Sequence, residues 1–135
     1  MADTAVTSRV TRYGEIVDIL RDKNVAALTS GASKGEWVIT CYCKIADVIC
    51  NSETAGSGGT SDLIDVNING TTIYTTQGNR PTLLQADTGM FTEALAGPDE
   101  TLISLVPGDI VSWDVDQVST TGSARFTITI ILTQN

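Results

Sequence analysis

The sequence contains no histidine. That absence removes the commonest general base and the commonest transition-metal ligand together, and with them Ser-His-Asp and Cys-His nucleophilic catalysis. Basic residues are scarce as well: eight stand against sixteen acids, for a net charge of −8. Nucleic-acid binding depends on neutralising phosphates, so a nucleic-acid partner is excluded and an anionic membrane surface is disfavoured. The acidity instead keeps the chain dissolved and discourages unspecific association. No apolar run approaches the roughly 20 residues that a spanning helix needs. The opening Met-Ala-Asp-Thr-Ala-Val-Thr-Ser lacks the basic-then-apolar pattern of a signal peptide. The expectation is a chain made and kept in a cytoplasm until something releases it.

Cysteine is limited to Cys41, Cys43 and Cys50, which fits a reducing compartment and rules out a disulfide scaffold. The three read as small buried hydrophobes. Metal binding is the alternative, opposed by the lack of histidine and of a second cysteine pair. There is no internal repeat. At 135 residues, with 41% apolar and 18% charged side chains, the chain is expected to form one domain with a single core.

What is present is alternation. In Pro107–Leu132, Val111, Trp113 and Val115 alternate with Ser112, Asp114 and Asp116, and Phe126, Ile128, Ile130 and Leu132 alternate with Thr127, Thr129 and Ile131. A period of two sustained this long means strands with one buried face. The polar run Ser119–Ser123 between them predicts a long-loop hairpin. Glu36–Ile49 reads as one strand with Trp37, Ile39, Cys41, Cys43 and Ile45 on one face. Leu63–Tyr74 reads as a strand with Ile64, Val66 and Ile68 inward and Asp65, Asn67 and Asn69 outward, turning at Asn69-Gly70. Shorter strands are expected at 82–85 and 101–106, and a loop or short strand at 90–93. From position 50 onward turn signals recur every 8–15 residues, as in a β-sandwich or barrel. Residues 1–10 read as a flexible leader, and 29–35 and 51–61 as loops by composition. Between them Ile16, Ile19, Leu20 and Lys23 fall near helical spacing, predicting a short helix, although Ile16–Ile19 is also strand-like.

Candidate chemistry is thin. Two acid pairs, Asp114 with Asp116 and Asp62 with Asp65, carry the charge that a glycosidase or a Ca²⁺ site would need, but outward acids on a strand are first of all a solvated face. Gly56, Gly58 and Gly59 lack the Lys-Ser/Thr and the following helix of a phosphate loop. Arg80, in a loop with Gln77 and Asn79, reads as a salt-bridge partner and, second, as a contact to another molecule. Trp37 and Trp113 lie on inward faces, where core packing outweighs a sugar-stacking role. No catalytic, metal or cofactor residue is assigned.

Three pieces carry a resemblance: Ile64-Asp65-Val66-Asn67-Ile68-Asn69-Gly70-Thr71-Thr72-Ile73-Tyr74, then Asn79-Arg80-Pro81-Thr82, then Pro107-Gly108-Asp109-Ile110-Val111 with Asp114-Val115-Asp116-Gln117-Val118. Over Leu63–Leu132 their order and spacing resemble a module of virion structural proteins of tailed bacteriophages, and Trp37–Val48 fits its first strand. The resemblance implies an all-β fold, an antiparallel β-sandwich of jelly-roll type, usually assembled as homotrimers on a phage head or at fibre tips. It brings no catalytic residues. The sequence departs from fibre versions in lacking a long upstream shaft, and its cysteine content is unusual.

The resulting expectation is an N-terminal arm or helix, residues 1–35, that serves as an anchor, and a jelly-roll sandwich, residues 36–135. The expected function is that of a non-enzymatic capsid decoration or cement protein on the outer head shell of a virion. Its partner would be the major capsid protein, with Arg12, Tyr13, Gln77, Asn79 and Arg80 as contact residues. The alternative is a receptor-binding module of a tail or head fibre that recognises host surface carbohydrate.

Overall fold

The structure, a computed structural model, describes residues 6–12, 15–84, 90–93 and 102–134. Its elements are β1 (Val6–Arg12), β2 (Glu15–Asn24), β3 (Gly31–Val38), β4 (Cys43–Thr54), β5 (Asp62–Ile68), β6 (Thr71–Thr72), β7 (Thr82–Leu83), β8 (Met90–Glu93), β9 (Ser104–Leu105), β10 (Ile110–Gln117) and β11 (Ala124–Gln134), with one 3-10 turn at Gln77–Asn79. Two antiparallel sheets pack face to face. The first has the order β1-β2-β11-β4-β8, with β9 also on β4; the second has the order β3-β10-β5-β6, with β7 also on β5. The expected all-β sandwich is therefore present.

On β5, β10 and β11 period-two alternation identifies the apolar core face. Val111, Trp113 and Val115 from β10 meet Phe126, Ile128, Ile130 and Leu132 from β11, all buried, and the Trp113 and Phe126 rings lie 5.2 Å apart. Burying each such aliphatic or aromatic side chain contributes about 1.5–3 kcal/mol. Ile45, Val48, Ile64, Val66, Ile73, Leu83 and Leu105 extend the same core. The Asn69-Gly70 turn also forms as expected, with both residues at positive φ (51° and 83°) and Ile68 opposite Thr71.

Alternation does not say which strand is the neighbour, and three expectations are corrected on that point. Residues 107–132 are not a hairpin: β10 pairs with β3 and β5, β11 with β2 and β4, and the 118–123 segment crosses from one sheet to the other. Residues 36–49 are not one strand either. The chain leaves the second sheet after Val38 and enters the first at Cys43, with Trp37, Ile39, Cys43 and Ile45 buried on both sides of the crossing. The expected helix is strand β2, paired with β1 on one side and with β11, from Val17 to Asn24, on the other. Its inward positions include Asp22 and Asn24, both buried, and this breaks the apolar alternation that would have marked a strand. The expected leader and loops shrink accordingly: β1 starts at Val6, β3 takes in Gly31–Gly35, and β4 runs on to Thr54.

Candidate functional site

The polar groups expected to do chemistry are sorted by the strands into two separate structural devices. Asp62 ends up inside the sandwich at the start of β5, fully buried, where its carboxylate accepts the backbone N–H groups of Ser119 (2.7 Å) and Ser123 (2.8 Å). Ser57 and Thr121 exchange backbone hydrogen bonds beside it, and the Gly56 N–H donates to the Ser123 hydroxyl. Segment 55–61 is thus strapped to segment 118–123. Gly122 is required there, because a side chain would run into the Leu28 carbonyl.

Asp65 faces the other way, onto the outer face of the second sheet. With Asp114 and Asp116 it forms a cluster whose carboxylate oxygens lie within 4.8 Å of one another. This regroups the two acid pairs suggested by spacing and overturns the solvated reading for Asp62 and Asp65, both of which are buried. Arg80 supplies the cation: Nη1 donates to Asp116 at 2.8 Å, and Nε lies 3.5 Å from Asp65. Thr72 donates its hydroxyl to Asp65, Asn67 its amide to Asp114, and Ser33 its backbone N–H to Asp114. Burial pushes the Asp65 carboxyl above its ordinary pKa, against the pull of the Thr72 hydrogen bond and the Arg80 charge. Arg80 therefore neutralises part of the acid cluster, while Thr72, Asn67 and Ser33 take up acceptor oxygens of Asp65 and Asp114.

The expected contact residues do not converge. Gln77 and Asn79 form the 3-10 turn leading into Arg80, whose guanidinium is turned into the acid cluster, as the salt-bridge reading required. Arg12 ends β1 on the outermost strand of the first sheet, its backbone opposite Glu15, at the opposite edge of the sandwich. Tyr13 lies outside the described residues. Cys43 and Cys50 are buried small hydrophobes, and burial pushes the Cys50 thiol far up; Cys41, expected on the same buried face, is only half-buried, and its thiol donates to Asp18 at 3.6 Å.

A surface that the sequence reading missed lies at the end of the sandwich where the chain passes from β3 to β4. Val38 and Tyr42 are 66% and 68% exposed there, with Val106 and Ile110 also exposed. Val38 and Ile110 are register partners on the outward face of β3 and β10. Tyr42 and Val106 flank the Cys43–Leu105 pair. The two pairs are joined through Ile39, which exchanges backbone hydrogen bonds with Asp109 and Gly108. The Asp109 carboxylate fixes this turn by accepting the Val106 N–H and the Asn69 amide, which together hold its pKa below the ordinary value. Beside Val38 opens a hollow of about 260 Å³ lined by Leu20, Ile39, Leu132, Cys41 and Asp18. The available signal was parity: Val38 and Ile110 are each one position out of step with a buried residue. No family model, curated protein or solved structure matches the chain.

Proposed function

We propose that this chain is a non-enzymatic structural protein of a tailed-phage virion that decorates the outer head shell and attaches through the apolar end of the sandwich. The observation that carries the reading is the group Val38, Tyr42, Val106 and Ile110 beside an apolar-floored hollow. Large apolar side chains left exposed together at one end of a sandwich point to a protein interaction surface. The fixed turn at 106–109 means that the surface is preformed, which lowers the ordering cost of docking. The resemblance to virion modules supplies the partner, the major capsid protein, and the association of copies into homotrimers; it carries an associational warrant alone.

The test is a partition experiment with purified protein and phage head shells that lack it. Saturable uptake at a fixed ratio to capsid subunits is expected, and Val38→Asp/Tyr42→Asp should abolish it while leaving the fold intact. Shells that take up neither protein, or both equally, would overturn the proposal. A second reading, a receptor-binding module, is favoured by the loops 25–30, 55–61 and 118–123 gathered at the opposite end. Uptake by intact host cells alone, blocked by surface glycan, would establish it instead.

A further inference from the structure

Eight basic residues are too few to make a basic surface, yet three of them gather at one corner of the first sheet's outer face. Arg21 and Lys23 are exposed two positions apart on β2, and Arg125 is exposed at the start of β11. Between Lys23 and Arg125 lies a hollow of about 240 Å³, also lined by Asn51, Glu53 and Thr127. Lys23, Thr127 and Asn51 form one row across β2, β11 and β4, so its floor is a stretch of paired sheet. Arg125 sits at φ 52°, a left-handed conformation that suits glycine far better than arginine. Its N–H is held by the Val25 carbonyl at 3.0 Å. A strained backbone that persists beside a cleft is a pointer to function.

The cations are poorly neutralised. Glu53 reaches Arg125 only at 3.9 Å, with both side chains about two-thirds exposed, a geometry that contributes little. Among the described residues Lys23 makes no ion pair. We propose that this hollow binds a compact carboxylate-bearing ligand the size of one sugar-acid ring. Arg125 and Lys23 hold the carboxylate, and Asn51 and Thr127 hydrogen-bond to neighbouring hydroxyls. The volume lies below the roughly 300 Å³ at which drug-sized sites begin, which limits the ligand to about one ring. The net charge of −8 and Glu53 itself repel polyanions and doubly charged phosphate. A single carboxylate takes the place of Glu53 on the guanidinium fork, so Glu53 is a built-in competitor. The site lies at the far end of β11 from the apolar surface, and its fate is independent of attachment to a shell.

The experiment titrates the ¹⁵N-labelled full chain with glucuronate, glucose and inorganic phosphate at fixed ionic strength, following amide shifts. Glucuronate should give saturable shifts confined to 21–25, 51–53 and 125–127. Lys23→Gln or Arg125→Gln should each weaken binding roughly tenfold, the equivalent of one charge-assisted hydrogen bond. Glu53→Gln should tighten it. All three side chains are exposed, so the variants keep the fold, which the remaining amide shifts verify. Equal binding of glucose, preference for phosphate, indifference to the three substitutions, or no saturable shift would each overturn the proposal.

Discussion

Gly35→Ala should be among the most damaging single-atom additions to this protein. Gly35 on β3 sits across the core from β2. An added methyl would overlap the Asp22 carboxylate and come within 2.7 Å of the Trp113 Nε1. Those two groups are hydrogen-bonded to each other at 3.0 Å, with both residues buried. Displacing the carboxylate costs about 1.5–3 kcal/mol for a hydrogen bond to a charged group. Forcing a methyl into a packed interior costs about 1–3 kcal/mol more. The sum is about 2.5–6 kcal/mol. With an unfolding entropy of about 2.1 cal/mol/K per residue, this corresponds to a Tm lower by about 9–21 °C. Scanning calorimetry reads it directly. The same substitution in a Trp113→Phe background should cost clearly less, because the carboxylate then has no indole hydrogen bond to lose and the added methyl no Nε1 to meet. A Tm within about 3 °C of the parent, or an equal effect in both backgrounds, would refute the close packing of β3 against β2.

Asp62→Asn should lower stability by about 2–3 kcal/mol in urea denaturation and speed amide exchange across 118–123, since an amide keeps one acceptor and turns its NH₂ toward a backbone donor; unchanged exchange there would remove the carboxylate from its role as clamp. Asp65 and Asp109 pull stability in opposite directions with pH. The Asp65 pKa is raised above 3.8 by burial, so the folded state takes up this proton before the unfolded state does. Its ionised form therefore costs stability above the folded pKa, and the cost disappears as the pH falls toward 3.8. Asp109 is lowered by the Val106 N–H and the Asn69 amide, so its contribution is present above 3.8 and is lost as the pH falls below that value. Asp65→Asn should accordingly abolish the part of the urea-midpoint change that lies just above 3.8, and a profile parallel to that of the parent would contradict the assignment.

The inward faces of β5, β10 and β11, and of β4 as far as Ile45, were legible because the inward positions there are apolar or terminal; past Ile45 an irregularity in the pairing with β11 shifts the inward positions of β4 to Val48, Cys50 and the polar Ser52, and alternation could not follow it. Asn69-Gly70 was legible because its turn demands positive φ. β2 was not, for a physical reason. Its inward positions Asp22 and Asn24 are satisfied by partners remote from the run itself or just past its end, the Trp113 indole and the Ala26 carbonyl. A buried polar residue reads as surface until its partner is known. Asp65 and Asn67 misled in the same way: they do occupy the outward face, but Thr72, Arg80 and Asp114 cover them. Arg80 was identified as a salt-bridge partner, and only the fold could say with which acids.

The largest miss, the hairpin of β10 and β11, shows what the chain does with its polar loops. Two strands with matching alternation can pair edge to edge or face each other across a core about 10 Å thick, and both arrangements bury the same side chains. What decides between them here is segment 118–123. Asp62 captures two of its N–H groups, and the Leu28 N–H reaches the Ser123 carbonyl at 2.8 Å. A tight hairpin would satisfy those donors within the ladder and leave the Asp62 carboxylate buried without them, at a cost of several kcal/mol. Holding the crossing open also places Arg125 at its left-handed position directly after the clamp, beside Val25 and Glu53. The same buried carboxylate that selects the sandwich over the hairpin therefore fixes the wall of the cationic hollow, so Asp62→Asn should loosen the glucuronate response along with the loop, whereas uptake through Val38 and Tyr42 at the other end should survive it.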